Sequence, residues 1–331
     1  MQTATKAESP ISLLASPSSI LVATDLTDIE QLLPHAIAQA KRTGAHITLV
    51  HALAIPDSVL LGGETTMEQP LAKLRAHKIL DTAAYHAQAQ GVRCSTVLRE
   101  GSVLDIVLEE IEVRQATRLI IRTHSHGYSG QQILGHVANA LLRSVNLPVF
   151  AIGPHALDGT AHTTPRRILH PVSLADNYRE TAAFAFHLAQ TYNADLTLLH
   201  VTDPGLLRGA YVKEIFADKN RQLTELIAGQ HPSSKVNTVV ACGDTVLEVL
   251  KLCSAIETDW VLIGLEHDFP WWSMSNNTAY QAIAQAEWPV ITFRPRAAAY
   301  KPLHSLDRSN MSEAHLSSGR GREFPLTDAM P

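Results

Sequence analysis

The chain of 331 residues carries 27 basic and 32 acidic side chains, a net charge of −5, and 45% of its residues are hydrophobic. This composition excludes wholesale disorder, and at roughly 100–200 residues per domain the length favours two domains. Neither half has the excess of basic residues that binding to a nucleic-acid backbone requires, so no nucleic-acid partner is expected.

The sequence also gives no sign of a membrane or of an oxidising compartment. No stretch approaches about 20 apolar residues, the length that a membrane span needs. The apolar run at residues 11–15 is too short for a secretory signal. Cys94, Cys242 and Cys253 are too few and too scattered for a disulfide framework or a zinc motif. We therefore expect a cytoplasmic protein without a membrane partner.

The first predicted elements follow residues 1–17, which we expect to be a disordered N-terminus. Residues 20–24 form a short continuous apolar run, the pattern of a strand buried on both faces. Thr27-x-x-Glu30 predicts a capping box that opens a helix, and Gly44 is expected to end that helix. Its apolar residues recur at helical spacing, as Leu33, Ile37 and Ala40.

Strands and helices alternate through the rest of the first half. Residues 47–50, 119–121 and 149–152 are further apolar runs that predict buried strands. Two helices are predicted by apolar stripes, one of Val103, Leu104, Val107, Leu108 and Ile111 and one of Val137, Leu141 and Val145. Strands separated by helices predict right-handed crossovers and a parallel sheet with helices on both faces.

Four segments of the first half recur in the second. Residues 20–25, 46–51, 101–108 and 147–152 return at 168–173, 195–200, 243–250 and 288–293, a shift of 141 to 149 residues. Because order and spacing are both kept, the sequence predicts a duplicated domain. The strands of the second copy are predicted at 167–171, 196–201, 236–241, 260–264 and 290–293.

The repeat divides the chain into two domains with a linker and two tails. Domain 1 is predicted at 18–154 and domain 2 at 166–295, joined by a linker at 155–165 that contains Pro, Gly and Thr. Residues 296–331 lack periodicity and are rich in Ser, Arg, Gly and Pro, so we expect a disordered tail.

The carboxyl ends of the predicted strands are the places to look for a ligand, since open parallel sheets bind ligands there. Asp25 and Ser173 follow strand one in the two halves, and Ala52 and Val201 follow strand two. Strand four is followed by residues 122–136 in the first half and by residues 264–278 in the second.

With these residues the chain resembles the universal stress protein family in its tandem two-domain form. The resemblance covers about residues 18–154 and 166–295. It rests on the Ile-Leu-x-x-x-Asp opening, on Leu-x-His ending strand two, on Pro-Val beginning strand five, and on the loop after strand four. It implies two five-stranded parallel α/β domains of the adenine-nucleotide α-hydrolase-like (Rossmann-like) type. They would pair through their last strands, 149–152 and 290–293, as an intramolecular pseudo-dimer.

The family's ATP-binding members carry the loop Gly-x-x-Gly-x(9)-Gly-(Ser/Thr), whose glycines let backbone N–H groups approach the phosphates. At these positions the first half has Arg122, Ser125, Gly135 and His136, and the second has Gly264, His267, Asn277 and Thr278. One of the four positions matches the motif in the first half, and two match it in the second. The family's adenine-contacting Asp is present in the first half as Asp25. In the second half Ser173 occupies the corresponding position. Both sites are therefore expected to be degenerate, with ATP binding weak or absent.

The resemblance implies a non-enzymatic stress-response protein, and two hypotheses stay open. In one, a regulatory module holds an adenine nucleotide in the first half through Asp25 and the 122–136 loop. In the other, an interaction protein binds no ligand. An ATP-hydrolysing enzyme is disfavoured because no general base or metal-binding carboxylate accompanies the loop, although weak ATPase activity is left open. The resemblance implies that the two domains of one chain pair with each other. Association of two chains into a homodimer is left open as well.

Three local features admit two interpretations each. Arg122 either recognises phosphate or fills the space that phosphates would need. Trp271 and Trp272 either plug a degenerate pocket or cap the core of their own domain. The histidines of the first loop, His124, His126 and His136, suggest a metal site, but no local carboxylate or cysteine completes it, so we expect none.

Overall fold

The computed structural model describes residues 10–53, 68–123, 134–153, 155–156, 162–174, 178–207, 211–228, 235–265 and 278–294. Strands and helices alternate along them. The strands are β1 (Ser19–Ala23), β2 (His46–Leu53), β3 (Cys94–Glu100), β4 (Arg118–Arg122), β5 (Val149–Ile152), β6 (Arg167–Pro171), β7 (Asp195–Thr202), β8 (Val236–Cys242), β9 (Trp260–Gly264) and β10 (Val290–Phe293).

The helices connect these strands, and a short 3₁₀ helix, Pro204–Leu207, follows β7. The α-helices are α1 (Pro10–Ala15), α2 (Ile29–Thr43), α3 (Glu68–Ala89), α4 (Val103–Val113), α5 (His136–Ser144), α6 (Tyr178–Tyr192), α7 (Val212–Ile227), α8 (Thr245–Ala255) and α9 (Thr278–Gln285).

All ten strands form one sheet in the order β3-β2-β1-β4-β5-β10-β9-β6-β7-β8. Both halves have the same internal order, and neighbouring strands within a half are parallel. The halves meet where β5 and β10 pair antiparallel, with Phe150 opposite Ile291. This confirms the predicted fold class, two five-stranded parallel sheets joined as an intramolecular pseudo-dimer. The exact domain bounds stay predictions.

Helices cover both faces of the sheet and bury two apolar clusters. One cluster lies under α1, α2, α3, α6 and α7, and the other lies under α4, α5, α8 and α9. Each cluster contains residues of both halves, because β5 and β10 continue the sheet across the middle. The two halves therefore share their hydrophobic core.

The side chains at the centre of the sheet contact one another across the two halves. Trp260 is fully buried, and its ring centroid lies 5.0 Å from that of Phe150 and 4.7 Å from that of Tyr192. The end of the linker packs here too, since the Trp260 indole N–H donates to the carbonyl oxygen of His162 (2.6 Å). The Nδ1 atom of His162 lies 2.9 Å from Asp259 Oδ1.

The prediction of disorder for residues 1–17 is wrong for the described part of that segment. Residues 10–15 form α1, which contacts α6 of the second half. Ala15 is fully buried, and the carbonyl oxygen of Leu14 accepts a hydrogen bond from Arg118 Nη2 (3.0 Å). A few apolar residues and one carbonyl group are enough to hold a helix too short to be stable alone.

The predicted capping box at Thr27 is also wrong, whereas the predicted end of the helix is confirmed. The N-cap residue of α2 is Asp28, without a capping hydrogen bond from its side chain, and the Thr27 hydroxyl instead donates to Asp25 Oδ1 (2.7 Å). Gly44 has a φ of 75°, and its N–H donates to the carbonyl oxygen of Ala40 (2.8 Å). This left-handed C-cap is the conformation that favours glycine.

We expect the free energy of unfolding to fall as the pH is lowered from 7.5 to 5, because of two buried histidines. Burial lowers the pKa of His35 and of His170 to about 4. In the unfolded chain the imidazole pKa is about 6.5, so the unfolded state binds protons first as the pH falls. The stabilisation is complete above pH 6.5 and is lost progressively down to pH 4, by about 2 kcal/mol per histidine at pH 5.

Urea unfolding at the two pH values measures this effect. His170→Gln should remove the contribution of that histidine, about 2 kcal/mol at pH 5, whereas His77→Gln, on the exposed side of α3, should leave the loss unchanged. The same loss in the wild type and in both variants would contradict the assignment to buried histidines.

Candidate functional site

A cavity of about 440 Å³ opens at the carboxyl ends of β1, β2 and β4. Residues of α4 and α5 complete its wall. It brings together the predicted site residues of the first half that the structure describes, which are Asp25, Ala52, Arg122, Gly135 and His136. One placement is corrected, because Ala52 lies inside β2, which continues to Leu53. The cavity lies where an open parallel sheet binds its ligands.

The loop after β1 anchors the side chain of Asp25. Leu26 has a φ of 77° and turns the chain. The Thr24 hydroxyl accepts a hydrogen bond from the N–H of Leu26 (2.9 Å) and donates one to Asp28 Oδ1 (2.5 Å). Asp25 Oδ1 in turn accepts from the N–H of Thr27 (2.8 Å). The exposed carboxylate of Asp25 therefore has a defined position at the cavity.

A histidine in the second strand of each half supports the loop after the first strand. His51 Nδ1 lies 2.8 Å from the carbonyl oxygen of Thr24, and His200 Nδ1 lies 2.8 Å from that of Val172. Burial lowers the pKa of His200 and favours the neutral ring, whose Nδ1–H donates to the carbonyl group. The sequence repeat contained both histidines, but this supporting role was not predicted. The available signal was their similar spacing from the loop, 27 residues in the first half and 28 in the second.

Positive charge reaches the cavity from Arg122 and from the start of α5. Arg122 is the last residue of β4, and its Nε atom is buried without a hydrogen-bond partner among the described residues. Gly135 is the N-cap of α5, and His136 is the first residue of the helix. The first N–H groups of a helix have no acceptor within it. Together with a guanidinium group, they can bind an anion such as phosphate.

The rest of the cavity wall is mainly apolar. Val137, which was predicted to lie in the buried stripe of its helix, is 40% exposed and lines the cavity instead. The other apolar lining residues are Ala23, Val50, Val103, Val107, Ile121, Ala138 and Leu141. An apolar wall with a few convergent polar groups is typical of a small-molecule site.

The predicted residues of the second half have different surroundings. Gly264 ends β9, and a Cβ atom at this position would lie 2.8 Å from Thr181 Cγ2 on α6. The absence of a side chain at Gly264 therefore allows α6 to pack closely on the sheet. Val201 lies inside β7 rather than after it, Ser173 follows β6, and Thr278 begins α9.

Several residues singled out in the sequence lie outside the described part of the chain, namely Ser125, His267, Asn277, His124, His126, Trp271 and Trp272. Within that part, no group of three or more His, Cys, Asp or Glu side chains could hold a metal ion. None of the described helices combines the length and the apolar character needed to cross a membrane.

The fold and the cavity define a class, the doubled Rossmann-like α/β proteins with a cavity at the carboxyl edge of the sheet. Residues 18–153 match the model of the universal stress protein family. This match covers the first half of the chain. A search among proteins with curated descriptions found no match.

Two solved structures share the fold over most of the chain. A universal stress protein from Archaeoglobus fulgidus is 15% identical, with a TM-score of 0.67, and the match covers 85% of this chain and 97% of that one. A protein of unknown function from Pseudomonas aeruginosa is 17% identical, with a TM-score of 0.61. The match covers 86% of this chain and 95% of that one. At sequence identities this low, the similarity shows a shared fold alone.

Proposed function

We propose that this protein is a universal stress protein of a non-enzymatic, regulatory kind, which binds an adenine nucleotide in its first-half cavity. The observation that carries the proposal is the convergence of Asp25, Arg122, Gly135 and His136 on one cavity of about 440 Å³. Asp25 would accept hydrogen bonds from the base or the sugar. The apolar wall would contact the faces of the adenine ring.

Arg122 and the start of α5 would bind a phosphate group at the other side of the cavity. A guanidinium group donates two parallel hydrogen bonds to a phosphate, which a glycine at this position could not do. The same side chain takes up space that a chain of three phosphates would need. We therefore propose a nucleoside monophosphate as the preferred ligand, with ATP binding more weakly.

The carboxylates of the cavity support binding rather than hydrolysis. Both lining carboxylates, Asp25 and Asp28, accept hydrogen bonds from the loop that carries them. A general base must instead reach the attacking water. In the second half, the close approach of Thr181 to Gly264 gives this glycine a packing role, and we propose no nucleotide site there.

Calorimetric titration of the purified chain with AMP and with ATP tests the proposal. Arg122→Gly should weaken AMP binding by about 10–150-fold, since a hydrogen bond to a charged group contributes about 1.5–3 kcal/mol. Asp25→Ala should also weaken it. The matched control is Ser173→Ala, at the position in the second half that corresponds to Asp25, and it should bind AMP like the wild type.

Three results would contradict the proposal. No heat with either nucleotide would favour the interaction protein without a ligand. Tight ATP binding by the wild type would contradict the degenerate site. Tighter ATP binding by Arg122→Gly than by the wild type, without loss of AMP binding, would show that Arg122 obstructs phosphates rather than binding them.

A further inference from the structure

The two outer strands of the ten-stranded sheet are equivalent by the repeat but differ in character. Each pairs with a single neighbour among the described residues, β3 with β2 and β8 with β7. Val97 of β3 corresponds to Val239 of β8, because Gly101 and Gly243 follow the two strands at the same spacing. An outer strand exposes backbone N–H and C=O groups on its free edge, to which another strand can pair.

Charged side chains protect the edge at β3. Arg99 forms an ion pair with Glu109 on α4 (2.7 Å), and Glu100 forms one with Lys73 on α3 (3.0 Å). Pairing a second strand here would require these partly exposed charges to be displaced. Charges on an edge strand are a common means of preventing edge-to-edge association.

The described residues give β8 no such protection. Its seven residues, Val-Asn-Thr-Val-Val-Ala-Cys, include no charged residue and no proline, and all seven are only half-buried. Val239 is half-buried, whereas its counterpart Val97 is 9% exposed. The edge at β8 therefore leaves apolar surface that a neighbouring strand and its helices could bury.

Hydrogen bonds to β7 determine which backbone groups of β8 face outward. The N–H of Leu196 donates to the carbonyl oxygen of Lys235 (2.9 Å), and the N–H of Gly243 donates to that of Thr202 (3.2 Å). In a parallel ladder the same side of the strand bonds at every second residue. The outward N–H and C=O groups therefore belong to Val236, Thr238, Val240 and Cys242.

We propose that β8 is a self-association edge through which two copies of the chain pair antiparallel. A two-fold axis at Val239 places Thr238 of one copy opposite Val240 of the other, and Val236 opposite Cys242. Every outward residue then faces an outward residue, so each pair can exchange two backbone hydrogen bonds. The contact closes upon itself as a dimer and joins the two sheets into one, while the charged β3 edges remain at the ends.

Sedimentation velocity on the full chain over a series of concentrations is the first test. We expect a species of about twice the 36.1 kDa of the chain. Thr238→Pro removes an outward N–H that takes no part in the ladder to β7, together with the bond from the Thr238 hydroxyl to Asn220 Oδ1 (2.9 Å). It should raise the dimer dissociation constant by about 100-fold or more. The control Thr96→Pro, at the matching position of β3, should not change it. A monomer at every concentration, or a Thr238→Pro protein that dimerises like the wild type, overturns the proposal.

A cysteine cross-link tests the position of the axis without weakening the strand. In the proposed dimer the two Val239 residues form a non-hydrogen-bonded pair, with Cα atoms about 4.5 Å apart, a separation within the range of disulfides. Val239→Cys in a Cys242→Ser background should therefore form a covalent dimer on mild oxidation. Val97→Cys in the same background should not. Absence of the cross-link at position 239, or equal cross-linking at both positions, overturns the proposal.

Discussion

Residues 10–155, expressed without the second half, should not form a stable monomer. Their last strand, β5, would lose its antiparallel partner β10 and become an exposed edge. Phe150, fully buried in the whole chain, would lose its contact with Trp260. We expect the fragment to dimerise through β5 or to aggregate, as measured by light scattering after size-exclusion chromatography.

Polar contacts between the halves add to this expectation. Arg42 Nε donates to the carbonyl oxygen of Thr191 (2.5 Å), and Arg294 donates to the carbonyl oxygens of Arg143 and Leu142 at 3.1 and 3.2 Å. In the fragment, Arg42 loses this acceptor, and the carbonyl groups of Leu142 and Arg143 lose the hydrogen bonds from Arg294.

Co-expression provides the control for this experiment. Residues 10–155 produced together with residues 156–295 should associate as a soluble pair, because all contacts between the halves are then available. A soluble, monomeric first half with a cooperative thermal transition of its own would contradict the shared core.

The strands were predictable because they are buried on both faces, which leaves continuous apolar runs in the sequence. Two elements of the first half, α3 and β3, were not located. Leu74 and Tyr85 on α3 are 66% and 73% exposed, so the helix lacks a clear apolar stripe. β3 mixes polar and apolar residues because it is an outer strand. Helix α1 escaped prediction because its burial depends on contacts far away in the chain.

The candidate site was predictable to the extent that topology decides it. The carboxyl edge of the sheet brought Asp25, Arg122 and His136 together as expected. The supporting bond of His51 was missed because the recurrence of the histidine in both halves does not by itself identify a backbone carbonyl as its partner. Gly264 matched the loop motif for a different reason, since the side chain it accommodates belongs to Thr181.

Replacing Arg118 should have a large effect on the free energy of unfolding. Its side chain is fully buried at the centre of the sheet. Arg118 Nη1 donates to Gln39 Oε1 and Nη2 to the carbonyl oxygen of Leu14, both at 3.0 Å. These two neutral oxygens connect the guanidinium group to α2 and to α1. In the sheet register, Arg118 lies opposite Ile20 as Trp260 lies opposite Ile168, so the repeat has placed two large, unlike side chains at equivalent positions.

Arg118→Ala should lower the free energy of unfolding by about 3–5 kcal/mol, since it opens a cavity and leaves two buried acceptors unpaired. Arg118→Met fills most of the volume without donating, so we expect a smaller loss of about 1–2 kcal/mol. Urea unfolding measures both values. In both variants α1 should become sensitive to protease before the rest of the chain unfolds, because the bond to Leu14 is lost. Unchanged protection of α1 in Arg118→Ala would show that apolar contacts with α6 alone hold the N-terminal helix.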